Sequence, residues 1–246
     1  MPSDAAIELS ADALGPRSLT SAVCERLRKD ILSTRLPPGQ KLNIAHLSKG
    51  FGVSFAATRE ALSRLVADGL VQASDQRGFR VSPVSIADLE DVTRTRIDIE
   101  GLALRRSIEQ GGLDWRLGLE RAFAVLLAVP YRDPADPKVH NEAWLLRHRI
   151  FHRALVGACG SSWLLRFRDS LYEQSERYRQ LSIPLDAGAR DVDDEHRQIV
   201  EAALRRDADA AVAALSAHFR RTAQLVKLRT ASIRESARDA GEGGTK

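Results

Sequence analysis

The sequence predicts a mainly α-helical protein made of an N-terminal winged helix-turn-helix and a C-terminal six-helix antiparallel bundle. Two patterns predict this fold class. Three short amphipathic segments and a run of alternating apolar and polar residues fill the first third of the chain. The rest contains only long stretches with helical periodicity. The length agrees with two domains, because 246 residues exceed the usual size of one.

Three helices and a hairpin account for the first domain. Apolar residues at helical spacing between Leu19 and Leu36 predict a first helix, which the run Pro37-Pro38-Gly39 ends. A third helix begins after Ser54, a typical N-cap residue. Alternating apolar and polar residues around Gly78 then predict a β-hairpin. The second helix covers about Ile44–Phe51, the third ends at Gly69 and the hairpin spans residues 70–81.

The rest of the chain carries only helical patterns, separated by prolines and glycines. Six amphipathic helices with no strand pattern predict a bundle with its own core. The predicted helices cover residues 86–110, 113–129, 138–158, 162–182, 190–205 and 208–234. The domain boundaries that follow are a disordered tail over 1–17, the first domain over 18–84, the bundle over 85–232 and a frayed tail over 233–246.

The positive charge of the chain is concentrated in the first domain. Residues 18–84 carry ten Lys and Arg against five Asp and Glu, a net +5, whereas the whole chain has a net charge of +4. A polyanion such as double-stranded DNA is attracted to such a domain through counterion release. A solvated basic face without a partner is the alternative.

Composition excludes several classes of protein. The two cysteines, Cys24 and Cys159, suggest neither a disulfide framework nor a zinc knuckle, which fits a reducing cytoplasm. The first 17 residues lack the pattern of a secretory signal, and the longest apolar run has only eight residues. We therefore expect a cytoplasmic protein with no membrane partner.

The third helix is the candidate DNA-reading element, because the second helix of a helix-turn-helix enters the major groove with its N-terminal residues against the bases. Arg59 is the best candidate for a bidentate contact to guanine. Arg77 and Gly78 at the wing tip are candidates for contacts to the minor groove or phosphates. The predicted DNA-binding residues are Ser54, Phe55, Ala56, Arg59, Arg64, Arg77 and Gly78.

The stretch from Gly52 to Leu65, followed by Asp68-Gly69-Leu70-Val71 and Arg77-Gly78-Phe79-Arg80-Val81, resembles the DNA-binding domain of FadR-type regulators in the GntR superfamily. The chain departs from the usual pattern of that family at Phe55, Ala57 and Thr58. Many relatives carry a DNA-contacting arginine where this chain has Phe55, so the resemblance implies different operator bases.

Four histidines occupy inward-facing positions of the predicted bundle. His148 and His152 lie one turn apart in the apolar stripe of one helix, and His196 and His218 lie in the stripes of two others. A lone inward histidine is more often a hydrogen-bonded core residue than a ligand. Four together favour a divalent metal site, because a metal satisfies all the buried imidazoles at once.

Residues 85–232 resemble the six-helix FCD ligand-binding domain of FadR-type regulators. Arg96, Glu100, Phe151-His152, Glu195-His196-Arg197 and the segment from Ala211 to His218 carry this resemblance. Metal-binding members use an Asp-x-x-x-His pair and two later histidines, so the resemblance implies a site at His148, His152, His196 and His218. Here His148 replaces the aspartate. Zinc or nickel remains suitable for such a site, and the lost negative charge favours an anionic effector.

A finer similarity concerns residues 94–101 and 177–182, which resemble the CsiR branch of these regulators. That resemblance implies a small carboxylate or dicarboxylate effector, such as the five-carbon dicarboxylate glutarate. Arg96, Arg149 and Tyr178 are the candidates to bind its carboxylate oxygens. A surface or inter-helix salt bridge is the alternative for each arginine.

The sequence therefore predicts a metabolite-responsive transcriptional regulator, a repressor that binds a palindromic operator as a homodimer. One alternative keeps DNA binding but makes the bundle a dimerisation module with a structural metal. Another is a metal-dependent hydrolase, but the chain lacks His-Glu-x-x-His and an enzyme gives no reason for a basic helix-turn-helix. We expect that the protein is not an enzyme.

Overall fold

The computed structural model describes residues 16–74, 78–136, 141–180 and 190–242. The chain divides into two compact units, Met1–Val84 and Ser85–Lys246. Among the described helices none is long and apolar enough to cross a membrane.

The first unit contains three helices: α1 (Pro16–Leu32), α2 (Ile44–Phe51) and α3 (Phe55–Ala67). α1 begins at Pro16, so the predicted tail over residues 1–17 overlaps it by two residues. Proline is well suited to a first helical turn, because its missing N–H has no helical acceptor there. α1 also ends before the predicted Leu36, since Thr34 adopts a left-handed conformation with φ +59° and breaks the helix.

The core of the first unit lies between α1 and α3. Val23, Leu27 and Ile31 of α1 are buried in one cluster with Leu62 and Leu65 of α3. Burial of such side chains contributes about 1.5–3 kcal/mol each. This packing fixes which face of α3 remains exposed.

A three-stranded antiparallel sheet completes the first unit, with the order β1-β3-β2. The predicted hairpin forms from β2 (Val71–Ser74) and β3 (Gly78–Val81), and Val71 is paired with Val81. The sequence analysis missed β1 (Lys41–Leu42), which pairs with β3. Two residues are too few to show an alternating pattern, so this strand depends on its tertiary partner.

The second unit is a bundle whose longest helix, α9, packs against α4 and α8, while α7 packs against α4. Its described helices are α4 (Ile86–Gln110), α5 (Leu113–Leu127), α6 (Glu142–Leu155), α7 (Ser162–Gln180), α8 (Val192–Leu204) and α9 (Ala208–Glu242). α6 begins four residues later than predicted, because the side chain of Asn141 accepts a hydrogen bond from Ala143 N and caps the helix there.

The C-terminal helix is longer than predicted. α9 continues to Glu242, whereas the sequence analysis ended it at 234 and placed a frayed tail over 233–246. Residues 233–240 contain no glycine or proline, and several of them are good helix formers. The glycines at 241, 243 and 244 are the first helix-breaking signal in this region.

A buried charge network links α4 and α7 in the second unit. Glu100 accepts hydrogen bonds from Arg96 at 2.7 Å and from Arg168 at 3.4 Å, and the side chains of Glu100 and Arg168 are almost fully inaccessible to solvent. Removing one partner of such a buried pair leaves a charge without compensation, which costs about 3–5 kcal/mol. The network fixes α7 and the Arg96 side chain beside the centre of the bundle.

Candidate metal centre and DNA-binding face

The first two histidines of the candidate site lie on α6. His148 and His152 are four residues apart, so their side chains leave the same face of the helix, and both are buried. Nε2 of His148 lies 3.0 Å from Nε2 of His152. The indole ring of Trp144, one turn earlier, stacks on His148 with 4.4 Å between ring centroids. One face of α6 therefore holds both imidazoles in fixed orientations.

The other two histidines come from neighbouring helices. His196 of α8 and His218 of α9 are buried, and their ring centroids are 4.7 Å apart. One nitrogen of each of the four histidines lies within 4.8 Å of the others. Zn–N bonds of about 2.0–2.1 Å separate ligand nitrogens of a tetrahedral site by about 3.3 Å, so this cluster is somewhat wider than a tetrahedral zinc site. The four buried histidines can hold a metal ion after a small contraction.

Hydrogen bonding within the cluster is incomplete. Neither Nδ1 nor Nε2 of His196 has a hydrogen-bond partner among the described residues, and Nδ1 of His152 also has none. A buried polar atom without a partner costs about 1–3 kcal/mol. A metal ion would bind a lone pair of His196 that no described protein group uses. Because of this unused lone pair, the four histidines fit a metal ion.

Burial keeps the imidazoles neutral. Desolvation lowers the pKa of His148, His152 and His196 well below the usual value, and the positive charges of nearby arginines lower it further. The pKa of His218 falls to about 4, again mainly through burial. Neutral imidazole is the form that ligates metals, so the ligands need no deprotonation near neutral pH.

His218 is oriented by a carboxylate. Its Nδ1 lies 2.8 Å from Oε2 of Glu195, which also accepts a hydrogen bond from Arg190 at 2.6 Å. Hydrogen bonds from His218 and Arg190 outweigh the effect of burial and lower the pKa of Glu195. A carboxylate on one ring nitrogen fixes the imidazole tautomer, which leaves Nε2 of His218 free to bind a metal.

His148 differs from His218 in that no carboxylate of the described residues bonds to its Nδ1. Its Nδ1 lies 2.6 Å from Nη1 of Arg179 and 3.2 Å from the hydroxyl oxygen of Tyr172. Arg179 is also paired with Glu176, one turn earlier on α7. A guanidinium has only donors, so His148 Nδ1 must accept this hydrogen bond through its lone pair.

A cavity opens beside His148 and His218. Its volume is about 40 Å³, which is room for about three water molecules. The cavity is lined by three arginines and, among the described residues, by no aspartate or glutamate. Its polar lining residues are Thr93, Arg96, Tyr131, His148, Ser175, Tyr178, Arg179, Arg190, His218 and Thr222.

Each of these three arginines forms an ion pair with one glutamate that does not line the cavity. Arg96 is paired with Glu100, Arg179 with Glu176 and Arg190 with Glu195. The cavity wall therefore presents positive charge, while the compensating carboxylates lie further from the cavity. Such a wall favours a small anion over a neutral or cationic ligand.

Two of the three predicted effector residues lie at this cavity. Arg96 lines it and donates to Ser175 at 2.7 Å, and Tyr178 lines it while its hydroxyl bonds to Asp88. Arg149, the third predicted effector residue, does not line this cavity: its side chain is 45% exposed and paired with Glu173. Position 149 follows His148 directly, and consecutive helical side chains point about 100° apart.

The sequence analysis missed Arg179 and Arg190, the arginines nearest to the histidines. Neither position shows a periodic signal. Near the end of a helix, the direction of a long arginine side chain depends on the carboxylate that binds it and not on the helical spacing. The sequence signal available for Arg190 was Glu195, an acidic residue in the first turn of α8 that can pair with a nearby arginine. No comparable signal marks Arg179.

The predicted reading helix exposes the expected face. Phe55, Ala56 and Arg59 are exposed on α3, and Phe55 is 54% accessible to solvent. Arg59 makes no hydrogen bond or ion pair with any other described residue, so its guanidinium is available to a ligand. The side chain of Ser54 caps α3 by accepting a hydrogen bond from Ala57 N.

The remaining predicted DNA contacts divide into three cases. Arg64 is exposed but already paired with Glu60 and within 3.3 Å of Ser21, so its charge is partly compensated. Gly78 begins β3 with φ +80°, a conformation that favours glycine and allows close backbone approach. Arg77 lies outside the described residues.

Two family models match the chain. The model for bacterial regulatory proteins of the gntR family matches residues 19–81, and the FCD domain model matches residues 91–221. The first match covers the three helices and the sheet of the first unit. The second contains all four histidines.

Relatives share the same organisation. The uncharacterised regulator BphR of Paraburkholderia xenovorans (strain LB400) is 40% identical over 86% of both chains. The transcriptional repressor GlaR of Escherichia coli (strain K12) is 34% identical over 74% of this chain and 83% of its own. The structure of E. coli McbR/YncC superposes with a TM-score of 0.71 at 20% identity, covering 86% of this chain and 98% of that one, which shows the same fold.

These families and relatives are transcriptional regulators and not enzymes, which removes the hydrolase alternative. The matches cover both units, and they agree with the exposed reading helix of the first and the helical bundle of the second. The chain is a DNA-binding transcriptional regulator that belongs to the GntR family and carries a C-terminal FCD domain.

Proposed function

We propose that this regulator is a metabolite-responsive repressor that binds a palindromic operator as a homodimer and takes a small dicarboxylate as its effector at a histidine metal site. The observation that carries the proposal is the pairing of the four-histidine cluster with a cavity walled by arginines. A structural metal alone would not need that wall.

His148, His152, His196 and His218 would hold the metal. Four imidazoles without a thiolate suit zinc or nickel better than magnesium or calcium, which prefer oxygen ligands. A bound divalent ion supplies a Lewis-acidic positive charge that attracts a carboxylate oxygen. The chain contributes no negative ligand, so the ion retains its full charge.

The effector would carry two anionic groups. Each arginine of the wall is balanced by its glutamate, so the net positive charge comes from the divalent ion and would be matched by two carboxylates. Arg179 contacts His148 and Arg190 lies 3.2 Å from Nδ1 of His218, so each arginine reaches one edge of the cluster. A dicarboxylate such as glutarate places one group near the cluster and keeps the other for an arginine of the wall.

The assignment as a repressor is supported by GlaR, a relative named a repressor. A homodimer matches the way in which helix-turn-helix proteins bind two half-sites of a palindrome. Within each half-site, Arg59 is proposed to read a guanine, and exposed Phe55 offers an apolar contact to a thymine methyl group.

A dicarboxylate should raise the melting temperature of the metal-loaded protein only. Glutarate at about 100 times its Kd is expected to add about 2.7 kcal/mol to the free energy of unfolding by mass action. Thermal unfolding is measured for zinc-loaded and chelator-treated protein, with glutarate and with the neutral diamide glutaramide as the control.

A rise with glutarate in the loaded protein alone supports the proposal. Zinc stabilisation without any response to glutarate, succinate or other short dicarboxylates would favour a purely structural metal in a dimerisation module. An identical response in the chelator-treated protein would contradict a role of the metal in effector binding.

Operator binding should depend on Arg59. Arg59→Ala is expected to cost about 1–3 kcal/mol on an operator fragment selected by the protein in vitro, the typical contribution of one good bidentate base contact. Affinity is measured by fluorescence anisotropy at fixed salt. Arg205→Ala is the control, because it removes an exposed arginine from the second unit. Unchanged operator affinity in Arg59→Ala would remove Arg59 from the base-reading set.

A further inference from the structure

His148 has two neighbours at Nδ1, of which only one restricts its tautomer. Nη1 of Arg179 lies 2.6 Å from Nδ1 and 3.4 Å from Nε2, and because it can only donate, the closer contact requires a lone pair on Nδ1. The hydroxyl oxygen of Tyr172, 3.2 Å away, can accept, so it is compatible with a proton on Nδ1. The hydroxyl can also donate, so Tyr172 is compatible with either tautomer and Arg179 alone selects one.

The contact with Arg179 selects one tautomer of the His148 ring. When Nδ1 accepts from Arg179, the proton of neutral His148 must sit on Nε2, where it donates to Nε2 of His152 at 3.0 Å. Both ring nitrogens are then engaged. Nε2 is the nitrogen directed into the cluster, and in this tautomer it has no lone pair for a metal.

Ligation through Nε2 demands the other tautomer, because the nitrogen that binds a metal is set by the hydrogen bond of its partner nitrogen. A proton on Nδ1 would face the N–H of Arg179 at 2.6 Å, donor against donor. Arg179 must then leave His148, while Tyr172 remains as the acceptor. Glu176 keeps the released guanidinium near the cavity.

We propose that Arg179 is an internal cation that competes with the metal for His148 and that, once displaced, binds the anionic effector. This inference rests on the proposed metal site and names a residue that regulates it. The small size of the cavity agrees with it, since about 40 Å³ is too little for a five-carbon dicarboxylate while Arg179 contacts His148. Movement of this side chain enlarges the space and presents its guanidinium to the ligand.

The test measures zinc affinity of the chelator-stripped full-length protein by competition with a chromogenic chelator. Arg179→Met is expected to bind zinc about tenfold more tightly than wild type, within the 5–150-fold typical of coupled sites. Tyr172→Phe is expected to bind zinc more weakly, because it removes the acceptor for a proton on Nδ1. Arg149→Met is the matched control, since Arg149 lies at a similar distance from the Tyr172 ring, 5.9 Å, without contacting His148.

Glutarate affinity of the zinc-loaded proteins provides the second readout, by calorimetry. Arg179→Met is expected to lose at least about tenfold in glutarate affinity, as for one charge-assisted pair, and Arg149→Met is expected to match wild type. Zinc affinity of Arg179→Met equal to or below that of wild type would overturn the proposal, and so would unchanged glutarate affinity.

Circular dichroism and the melting temperature check the fold of each variant. If Arg179→Met does not fold, Tyr172→Phe decides by itself: weaker zinc binding supports the tautomer argument, and unchanged binding overturns it. Failure of wild type to bind zinc would instead contradict the proposed metal site, so the two failures are distinguishable.

Discussion

Replacing His196 with alanine is expected to abolish the stabilisation that zinc or nickel gives to the protein. His196 is fully buried, and neither of its ring nitrogens has a partner among the described residues, so the ligand role is the one interaction that would compensate its burial. Wild type at about 100 times the metal Kd should gain about 2.7 kcal/mol. For a protein of this size the corresponding rise in melting temperature is roughly 5–10 °C.

The metal-free proteins should differ much less. His196→Ala opens a cavity, but it also removes two unsatisfied polar atoms, and these effects oppose each other. The measurement is therefore the difference in melting temperature between metal-loaded and chelator-treated samples, together with metal content by elemental analysis. His46→Ala is the control, because His46 is exposed on α2 in the first unit. A metal-induced rise in His196→Ala equal to that of wild type would show that His196 is not a ligand, and no rise in either protein would show that the cluster is an ordinary core.

Periodicity was sufficient to find the histidines. The inward stripe of α6 contains His148 and His152, and the same test applied to α8 and α9 finds His196 and His218. Backbone periodicity predicts the direction of short, rigid side chains well, because their position follows directly from the helix. The three stripes meet at one point only because α9 packs on α8 and α6 lies beside them. A pattern along the sequence does not predict this packing of helices.

Arginines follow a different rule, which explains why the sequence analysis did not find two of the three arginines that line the cavity. The guanidinium lies several bonds from the backbone, and its direction is decided by the carboxylate that binds it. Arg149 turns outward to Glu173, whereas Arg179 is held inside by Glu176 and Arg190 by Glu195. Family resemblance selected Arg96, which lines the cavity and whose partner Glu100 lies one turn away on the same helix.

Linkage connects the proposed effector site to DNA. α4 begins two residues after Val84, where the first unit ends, so a change at Arg96 of α4 acts on the helix that follows the DNA-binding unit in the chain. If the dicarboxylate weakens operator binding, operator DNA must weaken dicarboxylate binding by the same factor, typically 1–3 kcal/mol.

The His148→Asp variant is expected to retain metal but bind the dicarboxylate much more weakly. The change introduces the carboxylate ligand that the family resemblance implies for this position and adds one negative charge to the cluster. Two unit charges 4–8 Å apart at an effective dielectric constant of 20 interact by about 2–4 kcal/mol, which is an upper bound for the repulsion of the effector. Arg179 strengthens the effect, because a carboxylate at this position would pair with the guanidinium that we assign to the effector.

His148→Asn separates charge from shape, since asparagine has the size of aspartate without its charge and its side-chain oxygen can still face the cluster. Metal content, zinc affinity and glutarate affinity are measured for both variants and for wild type. Glutarate affinity should fall at least about tenfold further in His148→Asp than in His148→Asn, corresponding to about 1.4 kcal/mol. Equal or tighter glutarate binding by His148→Asp would show that the neutral imidazole at position 148 does not adapt the site to an anion. The arginine wall would then account for anion selectivity without a contribution from the histidine at position 148.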